Sequence, residues 1–263
     1  MNMSLTPMVK NLLLANVGVF FIGYLLGSDF AGMLGLRYFG APTFQPYQFI
    51  THMFMHADLR HLFFNMLGLF MFGPLLENAW GSKKFFFFYI ICGIGAAIIY
   101  SFVIYLDLHS LQSATEAYFL NPSPDLFVQF MRDHAEGFYG QNLDFINSFS
   151  RNPTNPGFIE ESKGFVRSLY LAKENTTMVG ASGAIFGILM GFGMLFPNTI
   201  IMPLFPPIPM KAKYFVGIYG IIELYAGVHK AEGDIVAHFA HIGGMIFAFI
   251  LIKIWKNERQ DFY

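Results

Sequence analysis

Three short stretches hold side chains whose types and spacing suit chemistry. His52, His56, His61 and Asn65 fall within fourteen residues, in THMFMHADLRHLFFNML. Hydrogen-bonding groups this dense beside an apolar run are costly unless they are used. On a helix His61 and Asn65 share a face. Both can donate to one point, as an oxyanion site requires. The second stretch, Gly180-Ala181-Ser182-Gly183, opens another apolar run. An isolated serine in such a run is harmless, its hydroxyl bonded to a carbonyl one turn back. Here glycines flank it, and they let a backbone or a substrate come close. The third is Ala240-His241-Ile242-Gly243-Gly244. A neutral imidazole is the base that a nucleophilic serine needs.

Small residues could bring these stretches together. Gly183, Gly187 and Gly191 repeat every four residues, the spacing of a tight helix–helix seam. Gly244 and Ala248 offer a matching seam below His241. If the two seams pack, His241 sits against Ser182. His238 competes for that place, but lies about one turn further from the seam, so His241 is preferred. No aspartate is placed to orient His241, which points to a dyad. Phe186, four residues after Ser182, would project from the same face as the serine and could orient the imidazole ring. Packing in the core is compatible with that role. A metal site is the rival reading, because His52 and His56 have metal-ligand spacing on a helix. The segment reads HMFMH, without the glutamate of an HExxH metalloprotease, and no metal is expected.

The elements that must hold these groups are apolar. The chain has 263 residues, is 55% hydrophobic and 13% charged, and has a mean hydropathy of +0.48. Lipid is the expected solvent for most of such a surface. A net charge of -1 gives no reason to expect nucleic acid. Cys92 stands alone in an apolar run and reads as packing. Six spans are predicted: Asn11–Gly27, Leu59–Ala79, Phe85–Leu106, Ser182–Phe196, Tyr214–Val228 and Ile235–Trp255. The first reads as a retained helix, since no small-x-small cleavage site follows it. With six spans, Lys10, Lys83, Lys84, Lys211, Lys213, Lys253, Lys256 and Arg259 share one side. The positive-inside rule makes that side cytoplasmic.

A polar insertion, residues 107–173, interrupts the spans and falls on the opposite, extracytoplasmic side. It is acidic on balance and holds Pro122, Pro124, Pro153 and Pro156. Its Phe-rich middle, residues 125–149, predicts one or two amphipathic helices lying over the membrane face. The expected architecture is one all-α polytopic membrane domain with this insertion between its third and fourth spans.

GASG opening one helix, AHIGG in a later one, and HxxxxHxxxN leading into the second together resemble the rhomboid intramembrane serine proteases, of bacterial type. The order of these motifs across six spans carries the resemblance. It implies a six-helix rhomboid-like bundle that hydrolyses peptide bonds in or near transmembrane segments of other proteins, without a cofactor. It implies Ser182 as nucleophile and His241 as base. The Ser182 amide, His61 and Asn65 would form the oxyanion site. His56 and His52 match further histidines of the family. Residues 29–51 would form a broad first loop, and the fifth span a lateral gate. The membrane would be the bacterial inner membrane. Tyr47-Gln48 departs from the Trp-Arg of many members, and Phe186 from their tyrosine; ring stacking under His241 survives the second change. Glu77 matches a structural acid of the family. Glu223 is unusual for a lipid-facing span, is expected to find a partner or the interface, and is given no catalytic role. The competing classes are a catalytically inactive membrane chaperone of the same fold and a transporter. A transporter would want ionisable groups at the midplane.

Overall fold

The computed structural model describes residues 5–203, 207–229 and 235–258. Each predicted span falls on a helix. In chain order the helices are α1 (Pro7–Leu26), α2 (Ser28–Leu34), α3 (Gln48–Thr51), α4 (Leu59–Trp80), α5 (Ser82–Leu120) and α6 (Pro124–His134). They continue as α7 (Glu136–Tyr139), α8 (Leu143–Arg151), α9 (Pro156–Glu174), α10 (Ser182–Leu195), α11 (Ala212–Val228) and α12 (Ile235–Glu258). A small antiparallel hairpin pairs Ile200–Ile201 with Met210–Lys211 between α10 and α11. Arg259, counted above for orientation, lies outside the described residues.

The chain divides into two compact units. The first takes Met1–Phe39, Thr43–Phe102 and Thr177–Tyr263. Its core is built from Val9, Leu12, Leu69, Leu76, Phe85, Phe88 and Ile188. α1, α4, α5 and residues 238–256 of α12 are long and apolar enough to cross a bilayer, and α10 is a shorter apolar helix. The outward faces are also apolar. Leu14, Phe21 and Leu25 on α1, Phe63 and Phe64 on α4, and Ile221 and Tyr225 on α11 are all exposed. Contiguous apolar surface of this kind is stable only where lipid covers it.

Buried polar side chains of this unit fasten helix to helix. Glu77, in the last turn of α4, receives the amides of Met8 and Val9 at 2.9 Å and the hydroxyls of Thr6 and Ser82. The two amides open α1, where the first turn has no intrahelical acceptors. A carboxylate there satisfies them and complements the helix dipole. The structural role expected of Glu77 thus has a specific form, a cap supplied by a neighbouring helix.

α10 packs against α12 through small residues. A Cβ on Gly244 would stand 1.9 Å from the Gly183 carbonyl oxygen, and one on Gly187 would stand 3.2 Å from the Gly244 oxygen. No side chain fits there. The seam also turns towards α5: a Cβ on Gly183 would meet Ala96, and one on Gly187 would meet Cys92. Gly191 departs from the expected seam and faces Phe88 and Leu76. Successive fourth residues drift around a straight helix, so the stripe leaves α12 after two steps.

The second unit takes Gly40–Pro42 and Val103–Thr176. The insertion was expected to begin at Asp107, yet α5 continues to Leu120. No helix breaker occurs before Asn121-Pro122, and a few polar residues do not end a helix. Asp107 and Lys173, the expected ends of the insertion, form an ion pair at 2.9 Å. Pro124 and Pro156 do not break structure but open α6 and α9, with Ser123 and Asn155 as caps. The aromatic residues, expected to face a membrane, pack on each other instead. Phe127 lies against Tyr118, Phe145, Phe149 and Phe165, and Phe127 and Phe149 are fully buried. Tyr118 also hydrogen-bonds Ser162. The aromatic content is a private core.

Gly244→Ala should destabilise the bundle by about 1–3 kcal/mol, since two backbones must move apart. Gly164→Ala, on an exposed face of α9 with open space beside it, should be neutral or stabilising by up to about 1 kcal/mol. Thermal melting in detergent, followed by circular dichroism, checks both. Equal melting of wild type and Gly244→Ala would contradict the seam.

Candidate active site

A cavity of about 630 Å³ in the first unit is lined by His52, His61, Asn65, Gly180, Ser182, Gly183, Phe186 and His241, with apolar residues between them. Eight residues singled out from the sequence therefore meet at one place. His56 does not line the cavity but packs against His61, their ring centroids 5.1 Å apart.

The loop before Ser182 is pinned at two points. Leu36 and Met178 exchange backbone hydrogen bonds of 2.8 Å, and the Gly180 amide donates to the His52 carbonyl at 2.9 Å. Gly180 has φ +124°, and a Cβ there would fall 2.7 Å from the His61 ring. Both facts demand glycine. Ser182 is the first residue of α10, and the capping position before it supplies no side-chain hydrogen bond. Its amide therefore has no intrahelical acceptor and sits at the positive end of the helix dipole.

Two further donors lie across the cavity on α4. Asp58 caps that helix, accepting from the His61 amide at 2.8 Å. The Ala57 amide points at His61 Nδ1, at a long 3.4 Å. A ring whose Nδ1 accepts carries its proton on Nε2, and the Cε1–Nε2 edge of the ring is the part that faces Gly180. Asn65, one turn on and buried, donates through Nδ2 to the His61 carbonyl at 3.0 Å. The amide keeps a second N–H for another acceptor.

His241 is held on two sides. Phe186 stacks on it, with centroids 4.1 Å apart and planes 9° from parallel. Its Nδ1 lies 2.8 Å from Glu223 Oε2. His238 Nδ1 reaches the same oxygen at 2.7 Å but does not line the cavity. The sequence reading missed Glu223 in this position. Its signal was available: a lone acid in an apolar span, and two histidines three residues apart in the next. The partner expected for Glu223 is this pair of imidazoles.

The donor atoms of Glu223, His238 and His241 lie within 4.8 Å of one another, close enough for a metal ion. Both imidazoles already spend those atoms on the carboxylate, so hydrogen bonding alone accounts for the cluster. His52 and His56, at helical metal spacing in the sequence, do not share a helix. α3 ends at Thr51, a 3₁₀ turn ends at Phe54, and His56 lies beyond both. His52 instead places Nδ1 2.9 Å from the Gln48 carbonyl. Gln48 belongs to the Tyr47-Gln48 pair noted in the sequence. It ties the first loop together, donating to the Met33 carbonyl and accepting from the Arg37 amide.

A bundle of apolar helices whose outer faces need lipid, enclosing a polar cavity, defines a polytopic membrane protein. Residues 43–110 and 161–257 match the sequence model of the Rhomboid domain. The chain belongs to the rhomboid family. It is 31% identical over 113 residues to Rhomboid protease AarA of Providencia stuartii, covering 40% of each chain. It is 25% identical over 257 residues to RHOMBOID-like protein 12, mitochondrial, of Arabidopsis thaliana, covering 96% of this chain and 58% of the relative. Rhomboid-like protein 11, chloroplastic, of the same plant is 30% identical over 92 residues, 34% of this chain and 30% of that one. The matched regions thus span 30% to 58% of these relatives' own lengths.

Burial pushes the His52 imidazole down to about 4, with its backbone hydrogen bond opposing. Burial, aided by His61, pushes His56 down to about 4 as well. Both pKa values are lowered on folding, so the unfolded chain binds more protons between pH 6.5 and 4. Their stability contribution is complete above about pH 6.5 and is lost as pH falls towards 4. The melting temperature should drop through that window. His56→Phe fills the same space without a titrating group and should make the drop shallower. An equally steep profile in that variant would remove His56 from the account.

Proposed function

We propose that this protein is an intramembrane serine endopeptidase working through Ser182 and His241. The observation that carries the proposal is that both side chains line one cavity, at the N-terminus of α10, opposite hydrogen-bond donors on α4. In this reading His241 takes the Ser182 proton as Oγ attacks the carbonyl carbon of a peptide bond. The carbonyl oxygen becomes an oxyanion, which the Ser182 amide, His61 and Asn65 can receive. The imidazolium then protonates the leaving amine, and an acyl-enzyme forms. Water, activated by the same imidazole, hydrolyses it and frees Ser182.

The substrates are other membrane proteins, cut in or near their transmembrane segments, because the cavity is built among helices with lipid-facing outer surfaces. The lysines flanking the spans support cytoplasmic termini under the positive-inside rule, and we take the setting to be a bacterial inner membrane. The second unit then lies outside the cytoplasm and supplies no catalytic group.

Labelling of purified protein by a fluorophosphonate, and cleavage of a reconstituted single-span substrate, test the reading. Ser182→Ala should abolish both while melting like wild type; wild-type turnover in that variant would sink the mechanism. A catalytically inactive relative would give no labelling of the wild type.

Asn65→Ala should lower kcat by about 10²-fold or more, since its donor acts mainly in the transition state. His61→Ala should behave similarly. Changes confined to KM would make these residues substrate-binding groups instead.

A further inference from the structure

Glu223 is an acid within an apolar helix, and its side chain is only 11% exposed. A charge in such a place is costly and calls for partners. Among the described residues its hydrogen-bond partners are two imidazoles, both through Nδ1 and both on the same oxygen. An ionised carboxylate can only accept hydrogen bonds. Each imidazole must therefore present Nδ1–H, and each is left with Nε2 as its acceptor. For His241 this choice of tautomer has a chemical meaning. The ring lines the cavity that holds Ser182. With Nδ1 committed to Glu223, only Nε2 can take a proton.

We propose that Glu223 is a positioning residue for His241, fixing its tautomer, its tilt and the charge it carries during catalysis. The proposal rests on the reading of Ser182 and His241 given above and adds a third member to that pair. Phe186 limits the ring from its face, and Glu223 limits it at its edge. A planar ring held at face and edge has little freedom left. When His241 becomes an imidazolium, the carboxylate beside it is the nearest counter-charge, the part that a buried acid plays behind a catalytic histidine. His238 has a different part. It takes no place in the cavity wall and shares the Glu223 oxygen, giving the buried carboxylate a second hydrogen-bond donor. The other ionisable groups that line the cavity are His52, Asp58, Arg60 and His61, on the segment leading into α4 and on α4 itself, and Tyr219, on α11 with Glu223. α11 supplies the carboxylate and α12 the base, so the base is oriented only while these two helices are packed.

The test is the rate of serine labelling by an alkyl fluorophosphonate in detergent, resolved into a maximal rate and a half-saturating concentration. Glu223→Gln keeps an oxygen that can accept from Nδ1 but removes the charge. It should lower the maximal rate by about tenfold. Glu223→Leu removes both and should lower it by about 10²-fold or more, in the range seen for lost partners of functional histidines. The half-saturating concentration should stay within about twofold in each. A purely structural role would instead lower melting temperature and labelling together, without the graded order of Gln above Leu. His238→Ala leaves the Glu223–His241 bond in place and should cost less than about threefold. Wild-type labelling with an equal maximal rate in Glu223→Leu would overturn the positioning role and leave the serine mechanism standing. A larger loss in His238→Ala than in Glu223→Leu would also overturn it. Absence of labelling in the wild type would instead overturn the serine mechanism, and the inference with it.

Discussion

Gly183 and Gly244 bring two helix backbones so close that even a methyl group has no room between them. Most of the first unit's arrangement depends on that approach. α10 carries Ser182 at its first residue, and α12 carries His241 one turn before Gly244. Contact at the glycines therefore sets how far apart the two polar side chains can be. Larger residues would push the helices apart by whole atomic diameters. The proposed chemistry between Ser182 and His241 tolerates far less than that.

The second constraint is the cost of polar groups among apolar helices. The structure meets it by giving such groups partners on neighbouring elements. Glu77 closes the start of α1 from the end of α4. Gln48 spans the first loop. Glu223 joins α11 to α12 through two imidazoles. These contacts give orientation to helices that apolar packing alone would leave free to rotate, because lipid is as apolar as leucine and does not favour one face over another. Position along each helix comes from length and hydropathy; rotation comes from a few hydrogen bonds and from glycine.

Much of this was legible in the residues. Ser182, His241, His61 and Asn65 stood out because polar groups in apolar runs are conspicuous, and small-residue spacing predicted which helices would meet. The link from Glu223 to His238 and His241 was not legible. It depends on the rotation of α11 against α12, and a single acid carries no periodicity from which rotation could be read. The fate of the insertion's aromatic residues was equally hidden. An amphipathic face rich in phenylalanine looks the same whether it meets lipid or another phenylalanine. Phe127 and Phe149 turned out to meet each other. The extension of α5 could have been read from the lack of a breaker before Asn121. Polarity drew the boundary at Asp107 instead, and polarity ends a membrane span without ending a helix.

α10 has fourteen residues, about 21 Å at the usual rise, against a bilayer core of about 30 Å. Its buried face is largely glycine and alanine, which offer lipid little to hold. Such a helix gains its place mainly from neighbours. α4 and α5 precede it in the chain, but α12 follows, after the hairpin and α11. During synthesis the serine-bearing helix must therefore wait, incompletely packed, until α12 has been made and inserted. His241 arrives on that same helix. The step that completes the packing of α10 is thus also the step that brings His241 to Ser182, so under the proposed mechanism an unfinished chain in the membrane carries a serine without its base.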